Sequence, residues 1–146
     1  MRVLLVVLLL LVGCAGCGGS GSALPAIGMT SGGGFEGTSQ EWTIAPDGAW
    51  TWNRTDKIDG LKVWPPRSGR LTGAAFDEIR RLATDPDLGR EMRLPHEKCD
   101  SSDGSYERLD VGINHYVAGW CDRTRKHIRR LRDRIVALTI GPNTVS

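Results

Sequence analysis

Seven cysteine and histidine side chains in this 146-residue sequence have the chemistry to bind a metal, form a disulfide or relay a proton: Cys14, Cys17, Cys99, Cys121, His96, His115 and His127. His96 and Cys99 stand at a ligand-like spacing, and a metal site would have to draw on His115 and Cys121 to complete its set. Cys121 has no second ligand close to it. The competing chemistry is a Cys99–Cys121 disulfide, and the choice turns on the compartment. The histidines are far apart, and each reads as an exposed or hydrogen-bonded side chain before it reads as a general base. Carboxylates are scattered through loops, so the fold itself would have to assemble any acid pair. Gly32-Gly33-Gly34-Phe35-Glu36-Gly37 spells G-x-G-x-x-G. It leads into a strand pattern and not a helix, so nucleotide-binding geometry is missing. The P-loop, H-E-x-x-H and G-x-S-x-G patterns do not occur. The expectation is a protein that is not an enzyme and uses no metal or cofactor.

The compartment is written at the start of the chain. Met1-Arg2 is a short positive end, and Val3 to Val12 is an unbroken apolar run. A bilayer span needs roughly 20 apolar residues, so the run fits the core of a signal peptide instead. It closes in Leu11-Val12-Gly13-Cys14, which resembles the bacterial lipobox. That resemblance implies cleavage after Gly13, a diacylglycerol on Cys14, and anchorage at the extracytoplasmic face of the cell membrane. Cys17 follows Ala15-Gly16 and fits the pattern less well. The chain then divides into a signal peptide (1–13), a lipidated cysteine with a Gly/Ser-rich leash (14–34), one domain (35–141) and a short tail (142–146). A leash of some twenty flexible residues reaches about 25 Å. Outside the cytoplasm Cys99 and Cys121 are expected to pair, closing a loop of about twenty residues, worth roughly 3 kcal/mol in the chain-entropy model.

Hydrophobic residues make up 40% of the chain and charged residues 25%, which excludes wholesale disorder. The formal net charge of +2 is too small to imply a polyanion partner for the whole molecule, and nucleic acid is not expected. Charge is nevertheless uneven, with seven basic and two acidic residues between Asp122 and Arg134. On a helix, Arg125, Arg129 and Arg132 line one flank, and Lys126, Arg130 and Arg134 run along the outer side. Such a flank suits a solvated face over an acidic body, or contact with anionic lipid or wall polymer. Trp42, Trp50, Trp52 and Trp64 crowd the first half. Alternate aromatics on half-buried strands belong to the core. Facing outward, Trp50 and Trp52 would form a stacking platform for a sugar or a protein.

The elements that must position these groups follow from periodicity. Ser39–Ile44 and Ala49–Asn53 alternate around Pro46-Asp47-Gly48, predicting a hairpin, and Leu61–Trp64 adds a short strand stopped by Pro65-Pro66. Thr72 opens a helix carrying Phe76, Ile79 and Leu82 at helical spacing, ended by Asp85-Pro86. Leu88 to Pro95 reads as a helical turn or a loop. Ser105–Val111 and His115–Cys121 form a second hairpin, and Thr124–Thr139 an amphipathic helix with Ile128, Leu131, Ile135 and Leu138 inward. The order predicts an α+β fold: an antiparallel sheet of four or five strands, in two hairpins, covered on one face by two helices.

Ser31-Gly32-Gly33-Gly34-Phe35, the Pro46-Asp47-Gly48 turn, Gly69-Arg70-Leu71-Thr72 before a helix ending in Asp85-Pro86, and the hairpin around Tyr106 and Leu109 resemble small lipoproteins of high-GC Gram-positive bacteria. The plan is also similar to emfourin, a protein inhibitor of thermolysin-type metalloproteases. Lipidation and the Cys99/Cys121 pair depart from emfourin, and no inhibitory residue is carried over. These resemblances imply a non-enzymatic, membrane-anchored binding domain whose partner is a secreted protease or another protein, with a wall polymer or carbohydrate as the alternative.

Overall fold

The computed structural model describes residues 23–34, 37–57, 61–95, 104–119 and 125–141. The signal peptide, Cys14, Cys17, His96, the Cys99–Cys121 pair, Trp120 and the 142–146 tail lie outside the described residues. Among the described residues no helix is long and apolar enough to cross a membrane.

Ile27 and Met29 alternate with Gly28 and Thr30, and this short pattern forms β1 (Ile27–Gly33), with both apolar residues buried. The strand corrects the expected boundary at residue 35, because it takes the end of the supposed leash into the middle of the sheet. It is antiparallel to β2 (Thr38–Ile44) on one side and to β6 (Tyr106–Val111) on the other. A central strand is held by two backbone ladders, so it needs few apolar side chains of its own. The glycines that suggested flexibility serve close approach. Gly33 has φ +94, and a Cβ there would collide with the backbone of Gly104.

Both expected hairpins form. Trp42 and Ile44 on β2 face Trp52 and Trp50 on β3 (Ala49–Asp56). Their turn is closed by Gly48 N–H donating to the Ala45 carbonyl at 2.9 Å, with Gly48 at φ +83. β4 (Lys62–Val63) and β5 (Arg67–Arg70) both pair with β3, separated by Trp64-Pro65-Pro66. The prolines have no N–H to give a ladder, so one edge is broken in two. β6 and β7 (Asn114–Gly119) flank a two-residue turn, Gly112-Ile113. The sheet thus has seven strands in the order β4-β3-β2-β1-β6-β7, with β5 also on β3. That is more than the four or five expected, and β1 and β5 are the unforeseen members.

Three helices cover one face, where two were expected. α1 (Gly73–Ala83) starts after Thr72, whose side chain makes no capping bond. α2 (Pro86–Met92) starts where α1 was expected simply to stop: Asp85 Oδ1 accepts from Asp87 N–H at 2.9 Å and Pro86 occupies the first turn. α3 (Lys126–Thr139) buries Ile128, Leu131 and Ile135. Between helices and sheet these residues join Ile79, Leu82, Leu88, Leu109 and Val111 in one core. The opposite sheet face is polar, with Thr43 and Thr51 hydroxyls 2.6 Å apart across strands.

Candidate functional site

The tryptophans are mostly core. Trp42 and Trp52 are 2% and 4% exposed, their rings tilted against each other at 6.3 Å. Trp42 Nε1–H donates to Thr139 Oγ1 at 3.2 Å, tying the sheet to the end of α3. Trp50 is half-buried, and its indole lies over Gly69, where a Cβ would sit 2.8 Å from the ring. Trp64 is half-buried too. It donates to Asp56 Oδ2 at 2.5 Å beneath Lys62, whose Nζ is 3.8 Å from the ring centre. That bond follows Arg54 as the second cause holding the Asp56 carboxyl below its ordinary range. The Trp50/Trp52 platform is therefore corrected: alternation along β3 turns Trp52 inward, under the helices.

The arginine flank is corrected in part. Arg125 is 6% exposed, and its guanidinium donates to the carbonyls of Glu91 at 2.5 Å, Leu94 at 3.3 Å and Pro95 at 2.7 Å. It closes the C-terminal end of α2, where carbonyls lack intrahelical donors. Arg132 binds Glu107 on β6 and Asp133 beside it. Arg134 engages Glu78 of α1 with two nitrogens, at 2.9 and 2.5 Å, and this holds the Glu78 carboxyl below its ordinary value. Arg129, Lys126 and Arg130 remain exposed.

His127 lies between two carboxylates, with Nδ1 3.3 Å from Asp85 and Nε2 4.0 Å from Asp87. The three can bring one ligand atom each within 4.8 Å of the others. As they stand, the two ring nitrogens address different carboxylates, Asp87 also pairs with Arg90, and Asp85 caps α2. Together with Glu91, which accepts the His127 and Ile128 backbone N–H groups at 2.8 and 3.1 Å, they lock α2 to the start of α3. His115 sits on the polar sheet face, 2.7 Å from Asp110, which Arg108 also holds. Burial pushes the Asp110 carboxyl up, but the hydrogen bonds with His115 and Arg108 outweigh it and the net displacement is downward.

A cleft of about 420 Å³ opens between the sheet and α3. Its floor has two rows set by strand register. The inner row, Trp42–Met29–Leu109, is apolar; the next, Gln40–Ser31–Glu107, is polar. The roof is Ile128, Arg132 and Val136, one face of α3 at four-residue steps. Gln40 is 6% exposed, and its Oε1 accepts the Trp52 indole N–H at 3.3 Å. Sequence reasoning missed this cleft because one wall of its floor is β1. The alternation of Gln40 with Trp42 was the available signal, a polar residue at a core-facing position. The size and amphipathic lining suit a small ligand or a partner's side-chain cluster. Compared with known proteins, the chain matches no family model and no protein of curated function.

Proposed function

We propose that this chain is a lipid-anchored extracytoplasmic protein whose domain binds a ligand, without transforming it, in the cleft beneath α3. The observation that carries the reading is the cleft's lining: an apolar inner row beside a polar row, with its ionised pair, Arg132 and Glu107, committed to each other. Groups so engaged orient a ligand better than they attack one. The path of the chain agrees with a tether. Gly112 N–H donates to the Ala26 carbonyl at 2.9 Å, so the N-terminal segment meets the sheet beside the β6–β7 turn. The cleft includes Gly32 and Gly33, at the other end of β1 and about 20 Å further on at strand rise.

The anchor is tested by lipid labelling, which Cys14→Ala must abolish. Cys99 and Cys121 are proposed to be disulfide-bonded, and two thiols alkylated without reductant would refute that. The resemblance to emfourin supplies the first partner to try, a thermolysin-type metalloprotease titrated while peptide cleavage is followed. Stoichiometric inhibition lost on filling the cleft with Val136→Trp supports a protease as the ligand. No inhibition at large excess removes the protease and leaves an envelope ligand. The second reading, contact with an anionic wall polymer, rests on the exposed Lys126, Arg129 and Arg130. It predicts binding that falls steeply with salt.

A further inference from the structure

Resting on the cleft as the binding site, we infer that its ligand is uncharged and presents a hydrogen-bond acceptor, an amide or ester carbonyl, to the side-chain nitrogen of Gln40. The indole N–H of Trp52 can only donate, so the Gln40 atom that meets it at 3.3 Å must be the oxygen. The –NH2 of that carboxamide is thereby left with two N–H donors, and among the described residues neither has a hydrogen-bond partner. Gln40 is 94% buried and lines the cleft. An unmet donor at that depth carries an uncompensated desolvation cost, which a ligand acceptor or a resident water recovers.

Register supplies the rest of the ligand's shape. Gln40 stands next to Ser31 in the polar row, and one step inward the row is Trp42, Met29 and Leu109. A carbonyl over Gln40 therefore carries its apolar body inward, over Met29 and under Ile128 and Val136. Charge selects against a carboxylate. Glu107 and Asp133 bring two negative charges to the cleft, and Arg132, paired with both, brings one positive; Arg108, also in the lining, is offset by Asp110, which it holds at 2.7 Å. The local balance is negative, and an anion entering here would be repelled without a free cation to receive it. Acylated amides and esters meet all three conditions.

The test uses the full chain in lipid nanodiscs, 15N-labelled, titrated with N-methylhexanamide and separately with hexanoate at pH 7. The Gln40 side-chain N–H signals, assigned by their absence in Gln40→Leu, report contact directly. The amide is expected to move them downfield, to bind roughly tenfold more weakly to Gln40→Leu, the fold-change of about 1.4 kcal/mol for a lost donor, and to bind more tightly than hexanoate. Because Gln40→Leu strands the Trp52 N–H, the double variant Gln40→Leu/Trp52→Phe removes both partners and must show the same weakening. Amide affinity unchanged in both variants overturns Gln40 as the donor while the cleft survives as a site. Hexanoate binding as tightly as the amide overturns the uncharged class. Equal responses from the native chain and Val136→Trp defeat the cleft itself.

Discussion

Arg125 Nη1 donates to the main-chain carbonyl of Glu91 at 2.5 Å, so the residue before α3 closes the end of α2. Two more carbonyls, of Leu94 and Pro95, fill the same guanidinium, and its Cζ lies 5.1 Å from the centre of the Tyr116 ring. Removing a buried, charged donor from three acceptors strands them all. Arg125→Ala is expected to destabilise the domain by about 2–3 kcal/mol in urea unfolding. Arg125→Lys recovers little, since one ammonium cannot reproduce a fork that reaches three carbonyls and covers a ring. A loss under 0.5 kcal/mol would remove the clamp.

Arg129 is the contrasting case on the same helix. It is exposed, whereas Arg132 is paired with Glu107 on β6. Arg129→Gln should leave unfolding within about 0.5 kcal/mol of the native chain, as surface substitutions do. Arg132→Gln should lower stability measurably and free Glu107 within the cleft. Equal effects at both positions in the same unfolding titration would contradict this division.

Acid should weaken the domain through identified carboxylates. Arg134 lowers the pKa of Glu78; Arg54 and then Trp64 lower that of Asp56; the Ala49 amide and then Arg70 lower that of Asp47. A depressed folded-state pKa means stabilisation that is present above the ordinary carboxylate range and lost as pH falls through the folded value. Stability should therefore be flat near pH 7 and decline below about pH 4. Glu78→Gln should lower the thermal midpoint at pH 7 and reduce the drop between pH 7 and pH 3. A drop of unchanged size would show that the Arg134 pair contributes nothing to the acid transition.

Much of this architecture was legible in the sequence, for reasons that also mark where reading stopped. Trp42/Ile44, Leu109/Val111 and Ile128/Leu131/Ile135 carry clean periods of two or near four, and their elements formed as expected. Asp85-Pro86 predicts a stop because proline ends a helix, yet the same pair starts the next one. The helix face of Arg125, Arg129 and Arg132 was visible, but which of them meets α2, solvent or β6 depends on contacts distant in sequence. The cleft was hidden for a similar reason. Its floor joins Gln40, Ser31 and Glu107, brought together only by the two ladders of β1.

The deepest consequence of β1 is that the domain begins before residue 27, and this makes a sharp prediction. Met29 is 4% exposed between Trp42 on β2 and Leu109 on β6. Met29→Ala should cost about 2–5 kcal/mol, as large-to-small changes in a packed core do. Gly33→Ala should also destabilise, because φ +94 is unfavourable for a side chain and the Gly104 backbone stands in its way. In a flexible tether neither substitution would register. A chain cut at residue 35 should lose both ladders and expose Trp42 and Leu109, giving poor dispersion in the NMR spectrum and no cooperative unfolding. A folded, cooperative product from that truncation would return β1 to the leash and leave the cleft without its floor.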